Sequence, residues 1–204
     1  MQGERRNKMN TLVRGLSLTV TPVALMISTT VLADDNGRLR TDLSGFHEVI
    51  GPNLGLGAIF STGNGQLTLK IDKQKREITY ELTYAFPNAA PTVGAQFVNQ
   101  AHLHFGQKHT TGGINVWLCQ STDNPAPAAV AMGTPTCPSP SGTVTGSITP
   151  AKVLALAAQG FPSGEAGFDA LLAAIQNNAI YGNVHTDRFP SGEIRGQVGD
   201  HHHD

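Results

Sequence analysis

Concentrated charge is what this 204-residue chain lacks most plainly. Only 14% of it is Asp, Glu, Lys or Arg, and beyond the first fourteen residues the cations are scattered. Phosphate binding needs a dense basic surface, so nucleic acid is excluded as a partner. No serine sits in a Gly-X-Ser-X-Gly elbow, and no glycine loop ends in a phosphate-cradling lysine. Those absences remove the familiar nucleophilic hydrolases and the P-loop enzymes. The longest apolar run, Leu16 to Leu32, is broken by Ser17, Thr19, Thr21, Pro22, Ser28, Thr29 and Thr30, too polar for a stable membrane span. Cysteine is scarce too, with Cys119 and Cys137 the whole complement.

What is present begins with a leader. Arg5, Arg6, Lys8 and Arg14 lie before or at the edge of the apolar run, and Val31-Leu32-Ala33 offers the small residues a signal peptidase reads. The pattern predicts a signal peptide over 1–33, a linker over 34–40, one domain over 41–199 and a His-rich tail over 200–204. It places the protein outside the cytoplasm, secreted or in the periplasm or cell envelope, with no membrane span after cleavage. The leader carries four of the 14 basic residues and one of the 15 acidic ones, leaving ten and fourteen. The remaining 171 residues suffice for a single domain with a core. In an exported protein, Cys119 and Cys137 read as a disulfide that ties down a Pro- and Gly-rich segment. A copper thiolate pair is the alternative, which their loop setting suits less well.

The body reads as β. Gln66–Ile71 and Glu77–Tyr84 alternate apolar and polar residues around a charged link at 72–76, which predicts a hairpin with Ile78, Tyr80, Leu82 and Tyr84 facing in. Ile114–Leu118, Thr143–Ile148, Ile180–His185 and Glu193–Val198 show the same period. Thr149-Pro150 looks like the opening of a helix that Gly160 ends, and Phe168, Leu171, Leu172 and Ile175 recur at helical spacing in a second. Phe-Pro-Ser-Gly-Glu occurs at 161–165 and again at 189–193, two uses of one good turn sequence. Short strands with Gly- and Pro-rich turns point to an antiparallel sandwich or barrel.

The residues with chemistry are histidines. His102 and His104 stand at i and i+2, so on a strand both side chains take one face while Ala101, Leu103 and Phe105 take the other. His185 is the candidate third ligand, and His109 is a fourth or a loop histidine without a role. Three neutral imidazoles suit copper or zinc, and an all-nitrogen set favours copper. The alternative reading is ordinary polar surface. On the closing hairpin a simple register pairs His185 with Glu193 and Asn183 with Arg195, forming a solvent-facing patch. Arg195 has two readings, a salt bridge to Glu193 or Asp187 and a fixed cation that draws a small anion to the metal. His47 reads as surface, and His201-His202-His203 as an exposed tail able to take up metal adventitiously.

Four stretches resemble the CHRD domain, the module repeated in chordin and found singly in exported bacterial proteins. They are Leu43–Val49, Gly65–Tyr84, Ala101–His104, and Asn183–Thr186 continuing through Gly192–Gln197. The segment holding Cys119 and Cys137, followed by Gly142–Gly146, is similar to bacterial members as well. The resemblance implies an all-β extracellular fold of Greek-key type. The fold class expected is therefore an antiparallel Greek-key sandwich or barrel, superoxide-dismutase-like or immunoglobulin-like, with two short helices. A further likeness is to copper-zinc superoxide dismutases, which pair a His-X-His strand near Phe-Gly with a later strand histidine and a C-terminal arginine. It implies copper on His102, His104 and His185, with Arg195 as anion guide. The zinc loop of those enzymes has no counterpart beyond His109, so only a copper-only site is implied.

Two functions follow. One is a secreted binding module whose histidines hold copper or another divalent metal, zinc being the alternative. The other is a copper redox enzyme of superoxide dismutase type, acting on superoxide. A third reading is a metal-free extracellular interaction module whose partner is another extracellular protein.

Overall fold

The computed structural model describes residues 37–50, 57–89 and 97–199. The leader and the His-rich tail expected from the sequence lie outside the described residues.

Eight strands form one sheet: β1 (Arg38–Ser44), β2 (Asn64–Asp72), β3 (Glu77–Ala85), β4 (Val98–Phe105), β5 (Gly113–Cys119), β6 (Ser141–Ile148), β7 (Ile180–Thr186) and β8 (Ile194–Val198). Their spatial order is β5-β4-β7-β8-β1-β2-β3-β6, and every ladder is antiparallel. The two edge strands curl toward each other. Tyr80 on β3 donates to the carbonyl of Leu118 on β5 at 2.7 Å, and the Cys119–Cys137 disulfide joins the end of β5 to the segment before β6. The result is a nearly closed barrel rather than a two-sheet sandwich.

The alternation read from the sequence decides the inner face. Leu69 pairs with Tyr80 and Leu67 with Leu82, and Ile78, Tyr80, Leu82 and Tyr84 are all buried. Leu43, Leu103, Val144, Ile180, Val184 and Ile194 join them in one core. Each such side chain stabilises by roughly 1.5–3 kcal/mol when fully buried.

Two α-helices accompany the barrel, α1 (Ala128–Ala131) and α2 (Gly164–Gln176). Phe168, Leu171 and Ile175 lie along one face of α2 and enter the core. Arg76, in the β2–β3 turn, pairs with Glu165 and Asp169 and lies over the Phe168 ring. The helix expected from Thr149 to Gly160 is not formed. Residues 150–152 and 157–159 are separate 3₁₀ turns. Between them the Leu154 N–H is taken by the carbonyl of Asn115 on β5, and Leu156 bridges to Phe161. Those partners outside the segment capture the amides that a helix would have used.

Other boundaries shift. Strand β1 begins at Arg38, inside the expected linker, and ends at Ser44, so His47 and Glu48 follow the strand. The repeated pentapeptide takes two forms: Ser163 precedes α2, whereas Pro190-Ser191-Gly192 turns the β7–β8 hairpin.

Candidate metal centre

Strand β7 runs through the middle of the site, and all seven of its residues are buried. Its inner face is apolar. Its outer face carries Tyr181, Asn183 and His185, paired across the ladder with His104, His102 and Gln100 of β4. Residues facing one another in a ladder share a face, so the three histidines are drawn together on the outside of the barrel. Register shifts in the β4–β5 ladder fall between Ala101 and His102 and between Leu103 and His104, and one in the β4–β7 ladder falls between Val98 and Gln100. Bulges of this kind re-aim side chains and recur beside functional sites.

The convergence is close. One ligand atom from each of His102, His104 and His185 lies within 4.8 Å of the others. His102 Nδ1 is 3.2 Å from His185 Nε2. Two nitrogens bound to one ion at about 2.0–2.1 Å, at angles between square and tetrahedral, sit about 2.9–3.4 Å apart, so this contact has the spacing of a ligand pair.

Backbone carbonyls decide the tautomers. The Gly112 carbonyl lies 3.0 Å from His104 Nδ1, and the Pro190 carbonyl lies 2.9 Å from His185 Nδ1. A carbonyl only accepts, so both Nδ1 atoms carry the proton and both Nε2 atoms keep a lone pair. In the metal-free chain His102 Nδ1–H then donates to His185 Nε2. His102 Nε2 and His104 Nε2 are left buried with no hydrogen-bond partner. Such atoms are costly unless something else occupies their lone pairs.

Burial keeps the group neutral. It lowers His104 to about 3, with the charges of His185 and Arg195 acting in the same direction and the Gly112 bond opposing them. It lowers His185 to about 4 against the bond to Pro190. His102, fully buried and repelled by both neighbours, falls well below the usual value.

The sequence expects this patch to face solvent, and the structure corrects that. His102 is 0% exposed, His104 7% and His185 6%. The β4–β5 connection folds back over them. Arg195 donates to the carbonyls of Thr110 at 2.7 Å and Gln107 at 3.0 Å, and Gln197 donates to Gly106. The Gly112 N–H donates to the Tyr181 hydroxyl at 3.2 Å. A Cβ on Gly112 would run into the Phe105 carbonyl, so only glycine lets the two ends of this loop approach.

The remaining candidates fall into place around the triad. His109 lies on the covering loop, exposed and at φ 65, and is not in the histidine group. Asn183 pairs with Arg195 as expected. The expected pairing of His185 with Glu193 is not formed, because Gly192 at φ 121 turns the chain and β8 starts at Ile194. The Glu193 carboxylate instead accepts from Ser61 and from Thr186 at 2.6 Å. Arg195 gives both terminal nitrogens to backbone carbonyls rather than to Glu193. Its guanidinium lies 3.4 Å from the centre of the Tyr181 ring, and burial lowers its proton affinity against the pull of Tyr181 and Glu48. His47 is exposed, in keeping with the surface reading.

Three residues around the site were not singled out by sequence. Glu48 is 4% exposed and accepts from Asn183 and from the Val49 N–H. Burial raises its pKa, and the Arg195 charge opposes the rise. The Tyr181 ring stacks on His104 at 4.7 Å, and Trp117 meets the His102 ring edge-on at 4.2 Å. Tyr181 was legible as a member of the His185 face, but nothing local to Glu48 marks it as buried.

Compared with known proteins, residues 39–198 match the CHRD domain. No curated protein and no solved structure matches the chain. Among the described residues no helix is long and apolar enough to cross a membrane.

Proposed function

Because the chain belongs to the CHRD-domain family and gathers three neutral imidazoles in one buried group, we propose that it is a metal-binding β domain of the extracytoplasmic space, holding copper on His102, His104 and His185. Zinc is the alternative ion. The observation that carries the reading is the set of lone pairs: Nδ1–H of His104 and of His185 each donates to a backbone carbonyl, which leaves Nε2 of each with its lone pair free for the shared space. An ion there takes the place of the proton that His102 and His185 share across 3.2 Å. The disulfide supports a location outside the reducing cytoplasm.

The dismutase-like alternative asks Arg195 to meet a small anion. Both terminal nitrogens of Arg195 are instead given to the carbonyls of Thr110 and Gln107, which favours holding and carrying the metal over turning over superoxide. The metal-free reading, a module that recognises an extracellular protein, leaves the buried lone pair of His104 Nε2 unexplained.

The test is copper titration of the protein carrying His201→Ala, His202→Ala and His203→Ala, beside the same protein with His102→Ala and His104→Ala added. Stoichiometric binding lost in the second protein is expected. Equal binding by both, or none by either, overturns the reading. Superoxide dismutation by the copper-loaded protein that vanishes in Arg195→Ala would restore the enzyme.

A further inference from the structure

The histidine group contains no carboxylate and no thiolate, so an ion bound there keeps its whole charge. The flanking buried charged residues include Glu48, Glu193 and Arg195, and Glu48 and Arg195, of opposite sign, act on one another. Arg195 lies 3.4 Å over the Tyr181 ring, and that ring stacks on His104 at 4.7 Å. A cation on His104 Nε2 therefore sits in a desolvated place, with a buried guanidinium over the ring that stacks on its ligand.

Charge decides which ion tolerates that. The cost of removing an ion from water grows with the square of its charge, so a dication meets about four times the penalty of a monocation of similar size. Repulsion by Arg195 grows in proportion to the charge and doubles. Coordination number acts in the same direction. Zinc with three protein ligands ordinarily completes a tetrahedron with water in an open position. Here the covering loop is tied down at Gly106, Gln107, Thr110 and Gly112, and 6–7% exposure of two ligands leaves little access for a fourth donor.

We infer that the His102–His104–His185 site selects cuprous copper, a monovalent ion content with three nitrogen donors, over divalent zinc. This rests on the metal-binding reading of the same residues and narrows it. Both ions have a filled d shell and impose no geometry of their own, so comparing them isolates charge and coordination number.

The experiment uses the protein with His201→Ala, His202→Ala and His203→Ala, kept anaerobic at pH 7. Cuprous ion is competed against a chromogenic cuprous chelator, and Zn²⁺ against a zinc chelator, each of known affinity. The expected Kd for cuprous ion is at least 100-fold below that for Zn²⁺, and His104→Ala raises the cuprous Kd at least 100-fold while circular dichroism shows the fold retained. A smaller ratio overturns the selectivity and leaves the triad a metal site. A folded protein that binds neither ion overturns the metal reading itself. Glu48→Gln removes a buried carboxylate that acts on Arg195, so the ratio widens. A ratio that narrows in this variant refutes the charge argument even where the parent protein prefers copper.

Discussion

Acid should unfold the metal-free protein through its three buried histidines. The perturbation is a drop from pH 7 to pH 5 in the presence of a chelator. In the unfolded chain each imidazole titrates near 6.5, whereas in the folded chain His104 is held to about 3, His185 to about 4 and His102 well below its usual value. Below pH 6.5 the unfolded state therefore binds protons that the folded state refuses, and stability falls as pH falls. The contribution is fully present above pH 6.5 and drains away as pH falls through about 4 for His185 and about 3 for His104. Between pH 7 and 5 each such histidine forfeits about 2 kcal/mol, and the three together about 6 kcal/mol, a large share of the 5–15 kcal/mol typical of a domain. Glu48 acts in the opposite sense: burial raises its pKa, so protonation relieves the folded state and returns part of the loss. Urea unfolding at pH 7, 6 and 5, on the protein without its terminal histidines, measures the slope. His102→Leu should remove about a third of the loss. A stability that changes by less than about 1 kcal/mol across this window would refute the picture of three desolvated neutral imidazoles.

The covering loop supplies a second prediction: Arg195→Ala strands the Thr110 and Gln107 carbonyls and leaves Glu48 buried without its cation, costing about 3 kcal/mol. Trypsin should then cut after the exposed Lys108 faster than in the parent protein, and unchanged cleavage would show that Arg195 is not the latch. Gly192→Ala should destabilise by about 1–3 kcal/mol, since φ is 121 and a Cβ would stand 2.6 Å from Asn183 Nδ2 and 2.8 Å from Glu48 Oε2. Because the same turn presents the Pro190 carbonyl to His185, copper affinity should fall with it, and an unaltered Kd would separate the turn from the site. Replacing Cys119 and Cys137 by serine frees a loop with a separation of 18 residues and should cost about 3 kcal/mol in urea unfolding, with copper stoichiometry intact. A loss of stoichiometry in that variant would revive the thiolate reading.

Much of the site was legible because a strand's period is two. His102 and His104 share a face for that reason alone, and the Asn183–Arg195 pairing follows from counting back from one turn. The misreadings share a cause. A period says which residues go together but not what lies over them, so the closing-hairpin patch reads as solvent-facing from sequence. Gly192 broke the count at Glu193, because a residue at positive φ rotates the next side chain off the expected face. The segment from Thr149 to Gly160 has the capping residues of a helix, yet its amides were claimed by Asn115 and Phe161, partners that no local pattern reveals.

The local chemistry of this chain therefore determined its strands, the inward set of Ile78, Tyr80, Leu82 and Tyr84, the pairing of its two cysteines and the common face of His102 and His104. Those features depend on neighbours a few residues away or, for the cysteines, on there being only one pair to make. Tertiary structure alone decided that His185 arrives beside His102, that Arg195 bolts a loop across them, and that Glu48 is buried behind Asn183. The physical reason is desolvation. An imidazole has the same composition on an open strand or beneath a loop, but only the packed chain removes the water that would keep it protonatable and its lone pair satisfied.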